Sequence, residues 1–169
     1  MAHALSLLLD HELAALNRAV GALRRRNLPI ESIALGPGEL AGQVRLTVIV
    51  NSDEATAEMT MRKLQTLSGV RGATRFTVDD GVARELALVR VRVTHERYAE
   101  LLDVCDMFKA TVVDELPDQA IVQLAGPGSF VLAFVRALEG FGILDVARSG
   151  SVALPRVPAP VVPAPAPAQ

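Results

Sequence analysis

The apolar residues of this 169-residue chain switch between a two-residue and a helical period in the same order twice over. Ala4 to Leu9 is a short apolar run suited to a central strand. Leu16, Ala19, Val20 and Leu23 then recur at i, i+3, i+4 and i+7, which predicts an amphipathic helix over Glu12 to Arg26. Arg24, Arg25 and Arg26 close it, where cations oppose the negative helix end, and Pro29 stops it. Ile30 to Leu35 is a second strand, followed by a Gly36-Pro37-Gly38 turn. Val44, Leu46, Val48 and Val50 alternate along a third strand, Gln43 to Val50. Asn51, Ser52 or Asp53 can cap a helix over Glu54 to Leu67, with Ala57, Met61 and Leu64 facing inward. Val70 to Val78 completes a βαββαβ unit.

Asp79-Asp80-Gly81 is a polar turn and the natural boundary. Beyond it Leu86, Leu88, Val89, Val91 and Val93 mark a strand, and Tyr98, Leu101, Leu102, Cys105 and Phe108 mark a helix over Glu96 to Lys109. Thr111 to Leu116 and Ala120 to Leu124 form a hairpin around Pro117-Asp118. Gly128 to Glu139 is a helix opened by Pro127, and Ile143 to Leu154 reads as one last strand. The fold class is therefore α+β: two tandem ferredoxin-like βαββαβ units, each an antiparallel sheet with two helices on one face. Each unit is under about 80 residues, small for independent stability, so pairing across sheet edges or between chains is expected.

From Pro155 onward six of the ten prolines alternate with Ala and Val. Proline fixes φ and removes a donor, so residues 155–169 read as a disordered Pro/Ala-rich tail, extended and mobile. Half of the residues are hydrophobic, enough for a core. A net charge of −2 offers no basic surface for nucleic acid. No apolar run is long enough to cross a bilayer, and the start has no basic leader, so a cytoplasmic location and no membrane contact are expected.

Catalytic chemistry is sparse. A single cysteine, Cys105, excludes an internal disulfide or a cysteine-based metal cluster, and its place on an apolar helix stripe makes it a buried structural thiol. His3, His11 and His95 lack the spacing of a helical metal site. Asp10, His11 and Glu12 are adjacent, but three successive side chains cannot converge, and no nucleophile accompanies them. Gly126-Pro127-Gly128-Ser129 opens a helix without the Lys-Ser/Thr pair of a phosphate loop. Arg148 and Ser149 interrupt an apolar run beside Gly150, as a bulge or an interface element would. What remains is the strand-to-helix corner at Asp10 to Leu16. A helix start leaves several N–H groups without intrahelical acceptors, and those suit the carboxylate of an amino-acid effector.

At this corner the sequence resembles a known family. Leu5-Ser6-Leu7-Leu8-Leu9, Glu12, Ala15-Leu16-Asn17-Arg18 and Asn27-Leu28-Pro29-Ile30-Glu31-Ser32-Ile33 are similar to the ACT domain of the small, regulatory subunit of acetolactate (acetohydroxyacid) synthase. Arg84-Glu85-Leu86-Ala87-Leu88-Val89, Phe108 to Asp114, Gln123-Leu124-Ala125-Gly126 and Val146-Ala147-Arg148-Ser149-Gly150 extend the likeness over residues 4–154 with almost no gaps. The resemblance implies an ACT domain over residues 1–79 and a C-terminal ferredoxin-like domain over 80–154. It implies a non-catalytic subunit without cofactors, activating a large catalytic subunit that holds thiamine diphosphate, magnesium and FAD in branched-chain amino acid biosynthesis. It also implies a homodimer through the ACT sheets, with an amino-acid effector such as valine bound between two domains. The implied effector residues are His11, Leu13, Ala14, Ala15, Leu16, Pro29 and Ile30.

Two positions depart from that pattern. Ala14 stands where the family's corner has glycine, and Pro29 stands where it has the asparagine that helps hold the effector. Proline offers neither a side-chain hydrogen bond nor an N–H. A lost charge-assisted hydrogen bond is worth about 1.5–3 kcal/mol, tenfold or more in affinity. A weakened or absent valine response is therefore expected, or a changed specificity with His11 touching a different effector. A stand-alone ACT-domain sensor of another small molecule is the competing class.

Overall fold

The computed structural model describes residues 1–157; most of the proline-rich tail lies outside the described residues. Nine strands and four α-helices follow in the order β1 (Ala2–Asp10), α1 (Leu13–Arg25), β2 (Ile30–Pro37), β3 (Gln43–Asn51), α2 (Glu54–Gln65) and β4 (Val70–Thr77). The second half runs β5 (Gly81–Arg92), α3 (Tyr98–Phe108), β6 (Thr111–Leu116), β7 (Gln119–Gly126), α4 (Gly128–Ala137), β8 (Ile143–Arg148) and β9 (Val152–Pro155). Pro155, read from sequence as the start of the tail, closes β9 instead.

The first sheet is antiparallel in the order β2-β3-β1-β4. Period-two alternation sends Leu5, Leu7 and Leu9 of β1 and Leu46, Val48 and Val50 of β3 to the face under the helices, where each is buried with Met61 and Leu64 of α2. Burying one such side chain stabilises the fold by about 1.5–3 kcal/mol. Helix α1 presents Ala15, Ala19, Ala22 and Leu23 to the same core, so small side chains let it lie close to the sheet. Asp53 caps α2 by accepting from the Thr56 N–H at 2.8 Å.

The second sheet has the order β6-β7-β5-β8. Its core gathers Val89, Val91, Val122, Leu101, Val131 and Phe134, with the Phe108 ring tilted against Phe130 and Phe134 at centroid distances of 5.2 and 5.4 Å.

The chain end corrects the sequence reading. Ile143 to Leu154 is not one strand but two: β8 pairs with Ala87–Val91 of β5, and β9 pairs with Gly81–Arg84. The break is a kink at Ser149–Ser151. The Ser149 N–H donates to the Leu86 carbonyl and the Leu86 N–H to the Ser149 hydroxyl, both at 2.9 Å. Gly150 adopts φ +72°, and a Cβ there would stand 2.8 Å from the Ile33 carbonyl oxygen. The Ser151 N–H donates to the Ser32 hydroxyl at 3.3 Å. The kink therefore rests on β2 of the first sheet. Beyond it Ala153 packs with Ala4, Ile49 and Phe76, covering part of the helix-free face of that sheet.

Gly150→Ala combines a left-handed backbone with a clash against main chain, and we expect a loss of about 1–3 kcal/mol or more in urea unfolding. Gly140→Ala meets no neighbour within 4 Å and should stay within about 0.5 kcal/mol of the parent.

Candidate functional site

The β1–α1 corner is built by three crossing segments. The Asp10 N–H donates to the Gly69 carbonyl at 2.9 Å, the His11 N–H to the Gly42 carbonyl at 2.8 Å, and the Glu12 N–H to the Asp10 carbonyl at 2.7 Å. The corner thus satisfies three of its own amides, so the row of open donors expected from sequence shortens to Leu13 and Ala14, at the first turn of α1. Glu12 occupies the N-cap position without a side-chain capping bond. Gly69, at φ +87°, lies against the helix start; a Cβ there would fall 2.7 Å from that of Ala15. The Arg18 Nε donates to the Ser68 carbonyl and ties the same loop down.

Of the sequence-predicted residues, His11, Leu13, Ala14, Pro29 and Ile30 are exposed, Leu16 is half-buried and Ala15 is buried. The two halves of the predicted site do not meet within one chain. Ile30 lies level with Val50, and Val50 with His3; Asp10 lies level with Gln43 at the other end of β1. Seven residues of strand, about 23 Å, separate those two levels.

Sequence reasoning overlooked what does lie beside His11. A hollow of about 460 Å³ opens between His11 and the β2–β3 turn, with Leu35, Pro37, Leu40 and Val44 on its walls. The glycines at 36, 38 and 42 were the available signal. At Gly38 a Cβ would stand 2.8 Å from that of Gln43, so the turn has no room there for a larger residue.

The acid–imidazole–acid run does no joint chemistry. Asp10 is engaged by Arg71 in a forked pair, Nε to Oδ1 at 2.7 Å and Nη2 to Oδ2 at 3.0 Å. Those bonds hold the Asp10 carboxyl below its ordinary range. Cys105 is buried in the second core, and burial pushes its thiol up, away from the reactive thiolate. Among the described residues no group of three His, Cys, Asp or Glu side chains is placed to hold a metal ion. Among the described residues no helix is long and apolar enough to cross a membrane.

Comparison with known proteins decides the family. A family model described as the small subunit of acetolactate synthase matches residues 84–157. A probable acetolactate synthase small subunit of Archaeoglobus fulgidus is 31% identical over 156 residues, covering 92% of this chain and 98% of that protein. This chain belongs to the acetolactate synthase small-subunit family. A probable small subunit of Methanothermobacter thermautotrophicus is 32% identical over 155 residues, covering 91% of the chain and 92% of that protein. The crystal structure of the acetolactate synthase small subunit of Thermotoga maritima matches with a TM-score of 0.87 at 28% identity, covering 94% of this chain and 99% of that one. The family match thus bears out the α+β reading with two tandem βαββαβ units.

The depressed Asp10 carboxyl carries a pH signature. Its contribution is present above the ordinary aspartate range and fades as pH falls through the lower, folded-state value. Asp10→Asn removes that dependence, so thermal unfolding followed below about pH 5 should show a shallower acid decline than the parent.

Proposed function

We propose that this protein is the regulatory, non-catalytic subunit of an acetolactate synthase, raising the activity of a thiamine-diphosphate-dependent large subunit while responding weakly or not at all to valine. The cofactors of that reaction, thiamine diphosphate, magnesium and FAD, belong on this reading to the large subunit.

The observation that carries the reading is the outer edge of the first sheet. Strand β2 is an edge strand of eight residues with Ile30, Ile33 and Leu35 exposed. Long apolar edges are templates for pairing with another chain. Antiparallel pairing of two β2 strands about a two-fold axis near Ile33–Ala34 sets Ile30 of one chain across from Pro37 of the other. Pro37 lies beside Val44, and Val44 beside Leu9, directly below the corner. A dimer of this kind unites His11, Leu13, Ala14, Ala15 and Leu16 of one chain with Pro29 and Ile30 of the second, closing the gap found within a single chain. It also covers apolar side chains that a monomer leaves in water.

At such a shared site the family's grip is reduced. Ala14 puts a methyl group beside the open amides of the first turn, and Pro29 removes a side-chain partner. The hollow beside His11 favours a second reading for the ligand: an effector other than valine that reaches the imidazole.

Reconstitution tests the whole. Added to its large subunit, the chain should raise synthase activity severalfold, with millimolar valine causing little inhibition. No activation would overturn the regulatory reading. Micromolar valine binding that Ala14→Leu abolishes would overturn the weakened site. Separately, Ile33→Glu buries a charge in the proposed seam, and sedimentation should show a dimer for the parent and a monomer for the variant. A parent monomer would exclude the shared site.

A further inference from the structure

Residues 143–155 border β5 along most of its length: β8 lies along Ala87–Val91 and β9 along Gly81–Arg84, with the Ser149–Ser151 kink between them. The other edge of this segment pairs with no strand among the described residues. Leu144, Val146, Val152 and Leu154 are exposed along it, the last two at 59% and 58%. Val82, level with Leu154, is exposed as well. A row of aliphatic side chains on an unpaired edge is a template for another chain.

Charge indicates which chain. The second sheet's other free edge, β6, carries Asp114 and Glu115 and so opposes a copy of itself. Residues 143–155 hold one acid, Asp145, and one base, Arg148, so two copies of this edge have no net charge to separate them.

Position adds a second argument. The ribbon of β5 and β9 lies on the helix-free face of the first sheet. Gly81 stands against the Phe76 ring of β4, Ala153 packs with Ala4 of β1 and Ile49 of β3, and Gly150 rests on Ile33 of β2. The ribbon thus crosses all four strands and leaves over the free edge of β2. The two-fold axis proposed for the dimer stands beside Ile33–Ala34, half a strand spacing, about 2.4 Å, outside β2. Gly150 is therefore close to that axis, and the partner's copy of it is close from the other side. An axis between antiparallel strands is perpendicular to their sheet, so it reverses the direction of any strand lying flat on that sheet. The two kinks meet with their strands antiparallel. Area points the same way. Stable dimers bury about 800 Å² per partner, and a seam of one eight-residue strand with three partly exposed aliphatic side chains falls short of that.

We propose that the β8–β9 edge seats its own copy in a second chain, so that the dimer has two seams on one axis. The first joins β2 to β2. The second joins the two Ser149–Ser151 kinks, with β8 of each chain lying toward β9 of the other. This inference rests on the β2 dimer and extends it: the β2 seam ties together only the first units, whereas the second seam ties in the second units.

Thiol cross-linking and sedimentation on the full chain test it. Val152→Cys places a thiol two residues from Gly150, and a short bis-maleimide should convert it to a covalent dimer on a denaturing gel. Met107→Cys, exposed on the outer face of α3, should stay monomeric on the same gel. The parent, whose single thiol is buried, is the blank. Leu154→Glu should weaken dimerisation at least tenfold with unchanged circular dichroism, because the side chain already faces solvent in one chain. A monomeric parent overturns the β2 dimer and this seam together. A dimeric parent that Leu154→Glu leaves equally tight overturns the seam alone. So does a dimeric parent in which Val152→Cys cross-links no better than Met107→Cys.

Discussion

Everything in this molecule follows from one deficit: a four-stranded antiparallel sheet with helices on one side leaves its other face and its outer strand unsatisfied. The first sheet meets that deficit in two ways. Part of its helix-free face is covered from within, because β5 and β9 extend past the second sheet and bring Ala153 against Ala4, Ile49 and Phe76. Its outer strand β2 pairs with β3 on its inner side and is touched by the kink at Gly150 through Ile33 and Ser32. The exposed Ile30, Ile33 and Leu35 are the part of the deficit that a single chain leaves open.

The elements of the fold were legible because two periods carry it. Alternation in β3 points Leu46, Val48 and Val50 at one core, as observed; the 3.6-residue spacing in α1 places Ala19 and Leu23 there, whereas Leu16 is half-buried, Val20 is exposed, and Ala15 and Ala22 fill the inner face instead. The kink at Ser149–Ser151 was not legible. Val152, Ala153 and Leu154 continue the apolar, β-prone character of Ile143 to Val146, so composition alone joins them. What separates them is a left-handed Gly150 pressed against the main chain of β2, a contact 117 positions away in sequence that no local pattern encodes. The corner was legible as a helix start. Its self-satisfaction was not, because the acceptors for Asp10 and His11 come from Gly69 and Gly42, in other loops.

The separation of the predicted effector residues has the same origin. Sequence places Pro29 and Ile30 just after α1 and the corner just before it, and a helix of thirteen residues keeps its ends about 20 Å apart. Proximity in sequence here guarantees distance in space. In the proposed dimer, a second chain related by a two-fold axis at β2 reverses that, since antiparallel pairing exchanges the ends of the strand.

On the proposed reading this arrangement separates two tasks that one site would otherwise perform together. Gripping an effector at the corner depends on Ala14 and Pro29, whereas holding the two units together depends on the Gly150 contact with Ile33 and on the Ser32–Ser151 hydrogen bond. Neither of those contacts uses a side chain that differs from the family's corner pattern. Loss of grip at the corner therefore leaves intact the path by which β2 bears on the second unit. A change in the packing of β2 would be felt at Gly150, because a glycine whose missing Cβ would lie 2.8 Å from a carbonyl oxygen has no slack to absorb it. A subunit built this way can lose sensitivity to one amino acid and still transmit the state of its dimer edge to the surface formed by its second sheet.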